Sequence, residues 1–211
     1  AEIGRHLARV FEQELADVEK AEEAYRYVLT VVPGEQSALE NLDRIYLSLE
    51  QWPELAGVLE QRAQTAQDQH DKIELYCRLG SVYEEHLAQS GAAIRAYRLV
   101  FDELEPQNTE VSSALVRIYE KRQEWQELEE VYKRQLQGAL GDVEQAEIRA
   151  KLARLASEHL GRDEDAIDGW KRVLDLRGED PEALDALAKL YEKHERWAEL
   201  SDLLERLYEV A

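Results

Sequence analysis

Apolar residues recur at every third or fourth position along nearly the whole chain, a spacing that places them on one face of an α-helix. Glycine, proline and short polar stretches interrupt this pattern, for example at Pro33, Gly91, Pro106 and Gly141. Each segment between interruptions is long enough for a helix of about three to five turns. The pattern therefore predicts an all-α protein of about twelve helices joined by short connections.

One motif occurs three times along the chain. A tyrosine is followed by a tryptophan six residues later and by a leucine three residues after that, in segments 46–59, 119–132 and 191–204. The tryptophans, Trp52, Trp125 and Trp197, are 73 and 72 residues apart. A fixed period of this kind indicates a repeat array, in which each unit packs on its neighbours.

The remainder of the period is equally regular. A small residue follows a leucine at Ala8, Gly80 and Ala153, where we expect paired helices to approach closely. Each period holds two antiparallel hairpins, so the chain is predicted to contain six. We predict one repeat domain over residues 1–211, with super-repeats at about 1–72, 73–145 and 146–211. We also expect this domain to be a segment of a longer array.

These motifs resemble the tetratricopeptide repeat family. The match is closest at Leu79, Gly80 and Tyr83 in a first helix and at Ala93 and Tyr97 in a second. The alternate hairpins depart from the family at three positions, where leucine replaces the usual small residue: Leu55, Leu128 and Leu200. The resemblance implies a right-handed superhelical α-solenoid whose concave groove is lined by the first helix of each hairpin.

Composition narrows the classes of function. The net charge of −20 repels nucleic acid, because affinity for it comes mainly from neutralising phosphates. No run of about 18 apolar residues is present, so we predict no membrane insertion. No phosphate loop, nucleophile elbow or metal-ligand spacing occurs, so we predict no catalysis, no cofactor and no metal site. The single cysteine, Cys77, fits a reducing compartment, so we expect a cytoplasmic protein.

A basic row occupies one position in the first helices of the six hairpins. Five of the six residues are basic, the exception being Ser81, although only 26 of 211 residues are Lys or Arg. One interpretation is that the row pairs with carboxylates of an acidic or extended partner segment. The other is that each cation pairs with an acid of the same chain, as the i,i+4 spacing of Asp185 and Lys189 allows. The candidate partner-binding residues are Arg9, Arg44, Arg117, Arg154 and Lys189.

An acidic row lies near the start of the same helices. Acidic side chains in a first turn complement the helix macrodipole, so stability explains this row without a partner, and partner contact is the alternative. The row consists of Glu2, Ser37, Glu74, Glu110, Glu147 and Glu182.

The aromatic residues also have two interpretations. The three repeated tryptophans suit ligand anchors, but their fixed register with the following leucine favours a place in the hairpin core. Trp170 takes the position of Tyr97 and is expected in the core as well. His86 and His159 are equivalent residues near helix ends, where a cation is favoured by the dipole.

The favoured function is a protein–protein interaction scaffold that binds a peptide or helix of a partner in the concave groove. The alternative is a structural rod in which copies assemble end to end into a homo-oligomer. An RNA-processing repeat is a third hypothesis, which the net charge disfavours.

Overall fold

The computed structural model describes residues 2–210, with side chains described for residues 2–205. This part of the chain contains twelve α-helices and no β-strand, as the sequence predicted. The helices are α1 (Glu2–Arg9), α2 (Val18–Val31), α3 (Gln36–Ser48), α4 (Trp52–Thr65), α5 (Gln69–Ser81), α6 (Ser90–Leu99), α7 (Thr109–Arg122), α8 (Trp125–Gly138), α9 (Asp142–Glu158), α10 (Asp163–Arg177), α11 (Pro181–Lys193) and α12 (Trp197–Val210).

Three helices continue directly into a five-residue π-helical segment. These segments are Val10–Glu14 after α1, Val82–His86 after α5 and Val100–Leu104 after α6. In the third super-repeat, α9 runs as a regular α-helix to Glu158 over the region equivalent to the segment after α5. A π-helical turn widens the helix by one residue and redirects the side chains that follow it.

Capping side chains fix where several helices begin. Asp17, Glu35 and Asp180 each accept a hydrogen bond from the backbone N–H three residues later, at 3.1, 2.6 and 3.0 Å. Pro181 and Pro53 occupy early helical positions, where the missing N–H has no intrahelical partner to lose.

The first helix of each hairpin ends on a residue in the left-handed backbone region. In five of these hairpins the residue is not glycine: Ala16, Glu50, Ala88, Gln123 and Glu195. The remaining hairpin has Gly161, which is equivalent to Ala88. After Ala16, Ala88 and Gly161 the next residue donates its N–H to a carbonyl six residues earlier, as Gln89 does to Tyr83 at 2.8 Å. After Glu50, Gln123 and Glu195 the corresponding bond reaches back five residues, as from Glu124 to Tyr119 at 3.0 Å. The two hairpins of each period therefore share a left-handed turn residue but differ in the hydrogen bond that follows it.

The helices form two compact units, residues 1–114 and 115–211, and the boundary falls inside α7. The first unit is packed around fully buried side chains that include Tyr25, Leu39, Leu59 and Phe101. The core of the second unit surrounds Trp170, which is 1% exposed, as expected from the sequence. The predicted limits of the super-repeats and the single-domain assignment stay predictions.

Small residues allow paired helices to approach in both units. A Cβ added to Gly80 on α5 would lie 2.4 Å from the ring of Tyr97 on α6. In the second unit, a Cβ on Gly169 of α10 would lie 2.9 Å from the Cβ of Ala153 on α9. The close approach predicted at Gly80 and Ala153 is therefore present, but glycine supplies it from opposite helices of the pair.

Candidate partner-binding site

The basic row is exposed and is largely engaged within the chain. Arg44 on α3 forms an ion pair with Glu12 and donates a hydrogen bond to the side-chain oxygen of Asn41 at 3.0 Å. Lys189 is paired with Asp185 at 2.6 Å, the i,i+4 contact expected from the sequence. Arg117 also has an interaction partner within the chain. Arg9 is exposed on α1, close enough to Tyr25 for its charge to oppose the rise in the pKa of that hydroxyl.

In the second unit the basic row meets the acidic row. Arg154 on α9 lies 2.5 Å from a carboxylate oxygen of Glu182, which begins the next first helix. Glu147 of the acidic row is 3.3 Å from Arg177. Both acids therefore have a cation against them, but only Glu182 is paired with a member of the basic row.

In the first unit the corresponding acids have no cation. Glu110 is equivalent to Glu182, but its counterpart in the basic row is Ser81, which has no charge to offer. Neither Glu110 nor Glu74 forms an ion pair with any described residue. The interruption at Ser81 therefore accounts for the uncompensated charge of Glu110, whereas Glu74 lacks a cation because Leu104 stands where the second unit has Arg177.

These carboxylates stand around an open groove in the first unit, which we call the Cys77 groove. It has a volume of about 580 Å³. Its apolar wall includes Leu47 from the end of α3, Ile73 from α5 and Val82 from the π-helical segment. Leu47 is 48% exposed and contributes this surface to the wall of the groove. The groove therefore offers apolar surface to an incoming group.

The rim of the Cys77 groove is acidic. Glu74, Glu105 and Glu110 line it together with Cys77 and Asn108. Burial, followed by the charges of Glu110, Glu105 and Glu74, raises the pKa of the Cys77 thiol to about 11. All three carboxylates therefore act on the space beside this thiol, which is kept protonated at neutral pH.

One cation, Arg78, also lines the groove but is held by a buried acid. Asp43 on α3 is 5% exposed and accepts two hydrogen bonds from Arg78, at 2.8 and 3.0 Å. Arg62 on α4 donates to the same carboxylate. This three-residue cluster connects α3, α4 and α5 through hydrogen bonds. Arg78 is therefore bound to Asp43 and forms no described ion pair with a carboxylate of the rim. Sequence reasoning missed the cluster because its members are 19 and 35 residues apart.

The repeated tryptophans are not in the core, and this corrects the sequence interpretation. Trp52 stacks on His86 with ring centroids 3.6 Å apart, and Trp125 stacks on His159 at 3.8 Å. Each stack joins the start of a second helix to the end of the first helix in the next hairpin. The histidines therefore cover indole rings at the surface. Trp197 has no such ring partner among the described side chains and is 59% exposed.

A second ionic cluster lies in the second unit at the start of α10. The Asp163 carboxylate is 2.5 Å from the Lys193 ammonium and 2.7 Å from the His194 ring. The hydrogen bond from Lys193, followed by that from His194, lowers the pKa of Asp163. The equivalent residue in the first unit is Ser90, so this cluster belongs to the second unit alone.

Across residues 2–210 no helix is long and apolar enough to cross a membrane. In the same part of the chain, no group of three or more His, Cys, Asp and Glu side chains is arranged to hold a metal ion.

Two segments of the chain match the family model of the tetratricopeptide repeat, residues 38–73 and 111–147. No curated protein matched the chain.

Solved structures of helical-repeat proteins are similar to this chain. MamA (AMB-1) aligns with a TM-score of 0.50 and 19% identity, over 82% of this chain and 90% of that one. A tetratricopeptide repeat protein from Parabacteroides merdae ATCC 43184 aligns with a TM-score of 0.45 and 17% identity, over 98% and 78%. YrrB, a TPR protein with an unusual peptide-binding site, aligns with a TM-score of 0.44 and 16% identity, over 87% and 89%. At such identities the similarity concerns the fold alone.

Proposed function

Because this chain is built from tetratricopeptide repeats, we propose that it is a non-catalytic scaffold that binds an extended or helical segment of a partner protein along its first helices. The observation that carries the proposal is the Cys77 groove, which presents apolar surface and charged side chains beside α5. Apolar pockets ringed by polar groups are the usual form of peptide-anchoring sites. A partner segment would place one side chain in the groove and run along the neighbouring helices.

The basic row is a second candidate contact for the partner. Arg44, Arg154 and Lys189 would exchange Glu12, Glu182 and Asp185 for partner carboxylates, and Arg9 and Arg117 would offer further cations to the partner. Exposed ion pairs contribute about 0–1 kcal/mol each, so exchanging one acid for another costs little. The row would then add affinity without specifying which residue enters the groove.

Peptide binding tests the proposal. Fluorescein-labelled peptides of basic, acidic and neutral composition are titrated with the protein, and anisotropy reports the bound fraction. We expect at least one composition to bind saturably with one-to-one stoichiometry. A variant with Arg44, Arg117 and Arg154 changed to Glu reports on the basic row, provided that circular dichroism shows an unchanged helix content. Absence of saturable binding for all compositions would reject the proposed function.

A further inference from the structure

We propose that the Cys77 groove is specific for a basic segment of a partner, with an apolar side chain inserted into the groove and Lys or Arg residues on either side of it. This inference rests on the proposed scaffold function and specifies the partner's chemistry. The charge of this basic segment is opposite to that of the acidic partner that the basic row suggests.

The groove first accounts for the apolar part of the ligand. Leu47 comes from α3, Ile73 from α5 and Val82 from the π-helical segment after α5, and all three line one groove. A leucine or larger side chain that enters would remove both its own surface and that of Leu47 from water. Burying such a side chain favours binding by a factor of roughly 10 to 100. A polar side chain at the same place would gain nothing from this wall.

The rim accounts for the basic part of the ligand. Glu74 and Glu110 have no ion-pair partner among the described residues, and the described contact of Glu105 is the amide of Asn108, at 2.5 Å. The other titratable groups that line the groove are Cys77, kept neutral as its thiol, and two histidines, His70 and His86. Arg78 shares Asp43 with Arg62, so this cluster retains one positive charge against the three carboxylates of the rim. The rim therefore keeps a net negative charge, and it repels a segment with flanking Asp or Glu.

The second unit has different side chains and ion pairs at the positions equivalent to the Cys77 groove. Glu147 and Glu182, the equivalents of the two free acids, are paired with Arg177 and Arg154. Leu47 is replaced by Glu120 and Cys77 by Ala150, so the apolar wall is also reduced. Charge and apolar surface therefore change together between the two units. The first unit alone combines an open apolar wall with uncompensated acids.

Ser81 is the residue that makes the difference testable. Its equivalent Arg154 reaches Glu182, so an arginine at position 81 would reach Glu110 by the same geometry. Ser81→Arg should make the net charge of the rim less negative by one unit without removing any apolar contact. Gln64→Arg is the matched control, since Gln64 is exposed on α4, does not line the groove and gains the same charge.

The experiment uses three 12-residue fluorescein-labelled peptides at physiological salt. The first has a central leucine flanked by two lysines on each side, the second replaces that leucine by serine, and the third replaces the lysines by glutamates. We expect the first to bind, the second to bind about tenfold or more weakly, and the third not to bind. Ser81→Arg should weaken the first peptide about five- to tenfold, whereas Gln64→Arg should leave it within about twofold.

Cys77 supplies an independent readout of where the peptide lies. The bound leucine would cover the thiol, so the basic leucine peptide should slow its alkylation by iodoacetamide and the serine peptide should not. In the absence of peptide, Ser81→Arg should speed alkylation, because a cation near the thiol favours the thiolate. This second result shows that the new guanidinium reaches the groove.

The outcomes separate this inference from the proposed function. Equal weakening by Ser81→Arg and Gln64→Arg would mean attraction to the overall negative charge and would overturn the inference. Preferential binding of the acidic peptide would overturn it too, while leaving the scaffold function in place. No binding of any peptide would reject the scaffold function itself.

Discussion

The two units share the same repeat but differ in whether the acidic residues at equivalent positions have a cation beside them. In the second unit, Arg154 forms an ion pair with Glu182, and Arg177 forms one with Glu147. In the first unit, Ser81 stands in place of that arginine, and Glu110 faces an open groove. The backbone geometry at the hairpin turns is shared, as the left-handed residues Ala88 and Gly161 show. This difference in surface chemistry accompanies the same order of helices, although α5 continues into a π-helical segment where α9 stays α-helical.

The largest expected effect concerns the buried ionic cluster that the second unit lacks. Asp43→Asn should lower the free energy of unfolding by about 3 kcal/mol, because Arg62 and Arg78 lose the carboxylate between them. The second unit has Val116, Gln135 and Lys151 at the equivalent positions. Urea denaturation measures the loss.

The matched variant for this test carries the residues of the second unit, Asp43→Val, Arg62→Gln and Arg78→Lys together. It should lose less stability than Asp43→Asn, since an apolar residue replaces the acid and no arginine is left unpaired. Equal or greater loss in the triple variant would show that the cluster is required by the packing of the first unit.

The close helix approach in the first unit gives the next effect. Gly80→Ala installs the residue that the second unit has at Ala153, and it should cost about 1–3 kcal/mol because the new methyl group meets the ring of Tyr97. Thermal and urea unfolding both report the loss. Gly57→Ala on α4 is the control, because no atom lies within 4 Å of the added Cβ. It should be neutral or stabilising by up to about 1 kcal/mol.

A smaller effect distinguishes the second unit by its response to acid. The pKa of Asp163 is lowered in the folded state, so the unfolded chain binds the proton first as the pH falls. The stability contributed by the contacts with Lys193 and His194 is therefore present above the ordinary aspartate pKa of 3.8 and is lost below it. Asp163→Asn should flatten the fall in unfolding free energy between about pH 5 and pH 3. An unchanged slope in this variant would assign the acid sensitivity to other carboxylates.

The smallest effect exchanges a turn residue between the units. Ala88→Gly places the residue of Gly161 at a left-handed position and should stabilise the first unit by about 0.5–1 kcal/mol. The measurement is the midpoint of urea unfolding. Destabilisation would mean that the freedom gained by the unfolded chain outweighs the relief of backbone strain.

The sequence was sufficient for the elements whose information is local. Helical periodicity predicted the twelve helices, and Pro181 and Asp180 marked the start of α11 where the structure has it. The internal period also identified the equivalent residues, among them the basic row and its interruption at Ser81. Whether the basic row binds a partner stays a prediction.

Contacts between hairpins were beyond the reach of local patterns. Trp52 and His86 are 34 residues apart in the chain, so helical periodicity does not link them, although both residues recur at the repeat period. The ion pair of Arg154 with Glu182 spans 28 residues. Its register was nevertheless readable in principle, because the basic and acidic rows could have been compared hairpin by hairpin. That comparison would have shown Glu110 opposite a serine.

The position of Ser81 has a consequence for how such a protein changes over generations. Serine and arginine codons can differ by one nucleotide, and Ser81 is not a buried core residue. In a helical array each hairpin packs mainly on its neighbours, so a change at this position is felt locally. One base change could thus close the acidic groove, and the reverse change at Arg154 would free Glu182. If the groove binds a basic segment as proposed, single-nucleotide steps would create or remove that site while leaving the hydrophobic core intact.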